Sequence, residues 1–378
     1  MNNQEILEAI VVNKQALNLD DLMCLKNILP TASEKEILQL YNGDPSKLNA
    51  AESFMLSMCK EPNIVWMVDA LIFELQFPAE VENIKNRLLS MVSLLNKLRE
   101  SPGLKTLLKL VLELGNLANY DYGRVPAHMR IRGKALGFTM DSLIKLHEVK
   151  SVDRKTSLLN YLVSIIEEKC KEILSIPSEF VELSVVKHWD SSALFGEVSA
   201  LRASLNQIMN LKIPTENSRV EEFREIQQSF LILAKAKLEK TDSVLLTTKE
   251  AWRDTARYLG EDPEDKKPEE LFIVLDQFFR HFKEAQDQNL KVIEDAKKRE
   301  REAAFKASLS RSRDSLNQSR SSQSGDLSPV SSNLSSLSSS LSPSPLASEI
   351  ATEDSLNILK DLDSMESFVD AIDESEKL

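Results

Sequence analysis

Between Pro214 and Gly260 the chain contains no glycine and no proline. The two residue types that most often interrupt helices are therefore missing from "SRVEEFREIQQSFLILAKAKLEKTDSVLLTTKEAWRDTARYL", where apolar residues recur three and four apart. At 1.5 Å per residue this segment predicts a single helix of roughly 60 Å. With helical periodicity of this kind through the chain and strand signals essentially absent, the expected fold is all-α and elongated.

The same periodicity governs the chain up to residue 307. Thr31 with Glu34, and Asn49 with Glu52, read as capping boxes that open two helices. "EPNIVWMVDALIFELQF" has Pro62 at its start and Pro78 just beyond its end, which predicts a helix stopping at Pro78 and a separate one over "AEVENIKNRLLSMVSLLNKLRE". Ser101, Pro102 and Gly103 end that helix, and "LKTLLKLVLELGNLANY" and "TMDSLIKLHEVK" supply further ones. Pro268 stands in the first turn of the last, "PEELFIVLDQFFRHFKEAQDQNLKVIEDAKKREREAAFKA". Strand signals are essentially absent.

At Ser308 the composition changes. Nineteen of the 41 residues from 308 to 348 are serine, a composition that buries too little apolar surface to offset its ordering entropy. Residues 349–378 carry ten acidic residues against two lysines. The expected organisation is a helical domain over 1–307, a disordered serine-rich linker over 308–348 and an acidic tail over 349–378. The tail's "SLNILKDLDSMESFVDAID" has the spacing of a short helix formed on a partner. Because most of the net charge of −12 sits in that tail, the body is only mildly acidic and offers no broad nucleic-acid surface. The three arginines of 308–348 are too few for RNA binding by counterion release.

Enzyme chemistry finds no support. His128, His147, His188 and His281 are scattered, without the short-range His or Cys pairing of a metal motif, and no phosphate-cradling glycine loop is present. No metal, cofactor or catalytic role is expected. Cys24, Cys59 and Cys170 lie far apart on apolar faces and read as reduced core thiols, and Trp66, Trp189 and Trp252 as core residues. There is no basic leader and no run approaching about 20 apolar residues, so the expected setting is cytoplasmic, without membrane binding.

One segment departs from the helical monotony. "GNLANYDYGRVPAHMRIRGKALGF", residues 115–138, holds four of the nine glycines. Gly115 and Asn116 tolerate left-handed conformations and so suit a helix C-terminus; alternatively, their small size leaves a shallow socket for a partner's aromatic side chain. Gly133 and Gly137 permit tight turns, and Phe138 is expected to anchor the loop in the core. Arg132, Lys134, Lys145, Lys150 and Lys155 form the densest basic cluster in the body, either a solvated face or a surface for an acidic partner.

"GNLAN" followed by "RGKALGFTMDSLIKLHEVKSVDRKTSLLNYLV" resembles the central motif of the formin homology-two domain, the actin-assembling core of formins. The match is carried by Gly115, Asn116, Asn119, Arg132, Gly133, Ala135, Gly137, Phe138, Leu143, Lys145, Leu146, Lys150, Ser151, Asp153, Lys155, Leu158, Leu159 and Tyr161. "LKNILPTASEKEILQLYNGDPSKLNAAESFMLSM" is similar to the family's knob, and "ARYLGEDPEDKKPEELFIVLDQFFRHFKEA" to its C-terminal helices, so the likeness covers about residues 4–305. It implies actin, as monomer or filament barbed end, as the partner, met by Lys150 and Lys155 with Arg132 and Lys145 nearby. It also implies that Gly115, Asn116 and Asn119 belong to the post that accepts a partner's lasso. The lasso, linker and start of the knob would fall before Met1, so the post is expected to accept a lasso without donating one, with reduced nucleation. The alternative is a non-nucleating helical scaffold that binds another protein through its post or tail.

Overall fold

The structure, a computed structural model, describes residues 2–12, 16–44, 47–61, 63–119, 135–151, 154, 156–210 and 218–321, with side chains to residue 306 except those of 118, 119 and 218. The described elements are all helical: α1 (Asn3–Val11), α2 (Leu19–Ile28), α3 (Ala32–Gln39), α4 (Ala50–Cys59), α5 (Ile64–Glu100), α6 (Pro102–Asn119), α7 (Ser142–Glu148), α8 (Leu158–Lys169), α9 (Ile176–Glu179), α10 (Leu183–Val186), α11 (Ser191–Asn210), α12 (Ser218–Tyr258) and α13 (Pro268–Ser321). A short 3-10 helix, Lys171–Ser175, follows α8. Among the described residues the sole β-type feature is one antiparallel bridge, between Lys150 and Ser157.

The expected helix starts form as local chemistry dictates. Thr31 accepts from the N–H of Glu34, whose carboxylate accepts the Thr31 N–H at 2.8 Å. Asn49 and Glu52 make the same reciprocal pair. Between α5 and α6 the break is a single residue, Ser101, whose hydroxyl accepts the Leu104 N–H at 3.1 Å. α12 is the unbroken rod that its sequence demands.

Pro78 does not end a helix, contrary to the reading of its sequence. It lies inside α5, on the exposed side of the helix. Phe77 beside it is 1 % exposed and packs against Phe73 and Phe230, so aromatic burial holds the helix through the proline. Cys59 and Cys170 are buried thiols as expected, whereas Cys24 is exposed. Trp252 is buried and donates its indole N–H to the Pro263 carbonyl; Trp66 and Trp189 are half-buried, each beneath an arginine.

The framework is α5, α11 and α12. Successive contacts between α5 and α12, Trp66 with Phe223, Phe77 with Phe230 and Leu95 with Thr255, advance in the same direction along both helices, so the two run parallel. α11 is antiparallel to both: Phe195 lies under Lys249 and Arg202 pairs with Asp242, while Glu197 meets Arg87 of α5. Val81, Ile84, Leu88, Met91, Leu95 and Leu98 form the buried stripe of α5 at alternating steps of three and four. α12 answers with a seven-residue recurrence of small or polar buried residues, Ala234, Thr241, Thr248 and Thr255. Small side chains there let α5 come close. The hydroxyls of Thr241 and Thr248 are satisfied by carbonyls one turn back, and that of Thr255 by the Leu95 carbonyl of α5 at 3.2 Å.

Two compact units divide the chain, residues 1–286 and 287–378. The first contains α1 to α12 and the start of α13; the described part of the second is the rest of α13, which continues to Ser321. The remaining serine-rich and acidic segments, 322–378, lie outside the described residues. Among the described residues no helix is long and apolar enough to cross a membrane.

Phe223 is fully buried where α1, α2, α4 and the start of α5 meet α12. Phe223→Ala is expected to lower unfolding free energy by about 3–5 kcal/mol, and exposed Ile232→Ala, two turns on, by less than about 0.5 kcal/mol, in denaturant titrations read by circular dichroism.

Candidate functional site

The glycine-rich segment and the basic cluster occupy the stretch of sequence between the last turns of α6 and the start of α8. α6 runs to Asn119, so Gly115 and Asn116 do not form its C-terminus as their residue types suggested; both lie within the last turns of the helix. A Cβ added at Gly115 would meet nothing within 4 Å. Glycine inside a helix costs about 1 kcal/mol relative to alanine, and among the described residues nothing would meet a Cβ at this position. Gly196 in α11 is equally open, so openness alone does not single out Gly115. Asn116 beside it does. Its side chain accepts the Ala135 N–H at 2.8 Å and donates to the Ala135 carbonyl at 3.1 Å, a two-bond clamp between α6 and the chain returning to α7.

Arg132, Gly133 and Lys134 lie outside the described residues, as does Lys155. The side chain of Asn119 is likewise not described, although its backbone closes α6. After Ala135 the return strand of backbone keeps Leu136 97 % exposed. Gly137 has open space around it and no positive φ, so neither a left-handed turn nor a close approach requires glycine there. Phe138 is only half-buried; the core anchor is Met140, 3 % exposed.

Met140 also begins a polar lock that sequence reading missed. Its N–H donates to Glu261 Oε1 at 2.9 Å, and Lys266 donates to Glu261 and to Asp141 at 3.1 and 2.7 Å. The loop between α12 and α13 thereby grips the first turn of α7. The hydrogen bond to Asp141, opposed by partial burial and reinforced by Glu261, raises the Lys266 ammonium above its ordinary pKa, so it stays charged. Only the fold brings these residues together, since 120 positions separate Asp141 from Glu261.

α7 turns Leu143 and Leu146 inward and leaves Lys145 exposed. The chain then forms a tight hairpin before α8. Leu158 N–H bonds the Val149 carbonyl at 2.8 Å and Ser151 N–H the Thr156 carbonyl at 2.9 Å. The Ser151 hydroxyl bonds both the Thr156 carbonyl and its hydroxyl, closing the turn. Arg154 sits at its tip with φ +59°, a left-handed conformation that costs a non-glycine residue roughly 1–2 kcal/mol. Ser157 and Asn160 then cap α8 reciprocally. Lys150 is exposed at the hairpin's base, and among the described residues neither Lys145 nor Lys150 makes an ion pair.

One pairing is not legible in the spacing of the sequence. His147 of α7 and His281 of α13, 134 positions apart, stack with ring centroids 4.1 Å apart. Glu284 completes a group whose donor atoms all lie within 4.8 Å of one another. Scattered along the chain, the histidines carried no metal-type spacing; three-dimensional proximity supplies it.

The Asn116 clamp is testable on its own. Asn116→Ala removes both bonds to Ala135, so backbone amides at 135–138 are expected to exchange hydrogen severalfold faster in deuterium-exchange mass spectrometry, while exchange in α5 and α12 is unchanged.

Residues 1–283 match the Formin Homology 2 Domain. Among curated proteins the chain is similar to formin-like protein 6 of Oryza sativa subsp. japonica, 29 % identical over 298 residues, which covers 78 % of this chain and 21 % of that protein. It is likewise similar to formin-like protein 18 of Arabidopsis thaliana, 28 % identical over 304 residues, or 80 % of this chain and 26 % of that one. Formin-like protein 17 of Arabidopsis thaliana is 27 % identical over 304 residues, 80 % of this chain and 60 % of that protein. The chain thus spans between about a fifth and three fifths of the length of these relatives. With three quarters of its residues matched, the chain belongs to the formin homology 2 family.

Proposed function

We propose that this chain is a non-enzymatic, actin-binding formin module that acts in filament nucleation or elongation and in cytoskeletal organisation. The observation that carries this reading is the hairpin between α7 and α8. It holds Lys150, and Lys145 one turn before it, outward on a rigid base, free of ion pairs among the described residues. By contrast Lys97, Lys187, Lys266, Arg87, Arg99 and Arg202 are all committed to carboxylates. Actin's exterior is acidic, and uncommitted cations at a rigid turn supply encounter rate and register. Lys155 and Arg132 are proposed to contact actin as well, with exposed Arg154 as an added cation. Cytoskeletal localisation follows from actin binding.

The post is proposed to take an aromatic side chain from another formin's lasso at Gly115, Asn116 and Asn119. The open position at Gly115 and the exposed Leu136 support this. A scaffold that binds a different protein through the same post is the second reading, supported by the same open face.

Lys150→Ala with Lys155→Ala is expected to weaken actin cosedimentation roughly tenfold at low salt, and less at high salt, with an unchanged melting temperature. Equal binding by the double variant and the parent would overturn the lysine mechanism. Gly115→Leu is expected to keep the fold, since the first carbon it adds meets nothing within 4 Å among the described residues. It should abolish capture of a lasso-bearing formin homology 2 partner while leaving cosedimentation of the isolated chain intact. Loss of actin assembly with no change in partner capture would place Gly115 outside the socket.

A further inference from the structure

We infer that His147, His281 and Glu284 form a binding site for a divalent transition-metal ion of the zinc type, tying α7 to α13. The inference is independent of the actin reading and rests on the geometry of these three side chains.

His281 and Glu284 are three positions apart on α13, so they project from one face of the helix one turn apart. His147 reaches them from the last turn of α7. The donor atoms lie within 4.8 Å of one another. A tetrahedral ion at about 2.0–2.1 Å from each donor holds the donors about 3.3 Å apart, so closure takes about 1.5 Å, within reach of side-chain torsions. Two imidazoles and a carboxylate form the donor set that suits zinc, with a fourth position left for water.

A second observation points to a ligand. His281 Nδ1 is buried and has no hydrogen-bond partner, although a buried ring nitrogen normally has one. The two rings lie 20° from parallel with centroids 4.1 Å apart, so their nitrogen lone pairs run side by side and one ring must turn about its side-chain torsions to share an ion. Glu284 is exposed, so the site opens to solvent and an ion can enter.

His147 stands three residues before Lys150, at the base of the hairpin. An ion bound there would fix the end of α7 against α13, adding a metal clamp to the Glu261–Lys266 lock at the other end of the helix.

The test uses the full chain, stripped with chelator, in a Cys24→Ser background that removes the exposed thiol as a competing ligand. Zinc chloride is titrated against a chromophoric zinc indicator. One equivalent bound in competition with the indicator, weakened roughly tenfold or more by His147→Gln and by His281→Gln and less by Glu284→Gln, is the expected result. The melting temperature should rise with zinc in the parent and not in the histidine variants. No bound equivalent, or equal binding by parent and folded variants, overturns the site. Should either histidine variant fail to fold, acylation of the unsubstituted histidines by diethyl pyrocarbonate decides. Zinc should protect His147 and His281 while leaving exposed His188 unchanged, and equal rates at all three with and without zinc overturn the proposal.

Discussion

Everything else in the structure depends on the parallel contact of α5 with α12. Helices of 37 and 41 residues in a folded protein take most of their stability from packing, and each of these buries its stripe on the other. The stripe of α5 is bulky, Ile84, Leu88, Met91 and Leu95, whereas that of α12 is punctuated by Ala234, Thr241, Thr248 and Thr255. Small against large brings the axes together, and buried threonine hydroxyls are tolerated because each finds a carbonyl. Aromatic residues close the N-terminal half of the seam, with Trp66 edge-on to Phe223 and Phe77 to Phe230. That burial also carries α5 straight through Pro78.

On this frame the functional region is a set of short connections held by polar contacts. Asn116 clamps the return of the glycine-rich segment, Glu261 and Lys266 grip the start of α7, and Ser151 closes the hairpin. None of these contacts buries much apolar surface, so the region takes its position from the helices and its shape from hydrogen bonds. Such an arrangement allows the hairpin's cations to remain outward. A carboxylate neighbour would neutralise them, as Asp276 does for Lys187 and Glu182 for Lys97. Arg154 in a left-handed conformation shows that the hairpin's hydrogen bonds are strong enough to hold a residue where glycine would be easier.

Local rules were legible in the chain itself. Thr31 and Asn49 cap helices because their partners three residues on are acidic, and Ser101–Pro102 and Pro268 open helices because proline has no N–H to lose there. The formin motif was equally readable, since its residues are contiguous between Gly115 and Tyr161. Readings that assumed a local role for a residue fared worse. Pro78 looked like a terminator, Gly115 and Asn116 like a helix end, Phe138 like an anchor and Cys24 like a core thiol. In each case a neighbour in space, or the lack of one, decided otherwise.

The division follows from the range of the forces. Helix periodicity, capping and the ordered motif involve residues within a few turns of one another, so the sequence by itself determined an all-helical formin homology 2 chain with a basic segment after its glycine-rich loop. Which carboxylate reaches which lysine, whether a helix survives its proline, and that His147 lies upon His281 depend on contacts between positions 85 or more residues apart. Those contacts exist only once α5, α11 and α12 have packed, because packing alone sets the distances over which side chains of different helices meet.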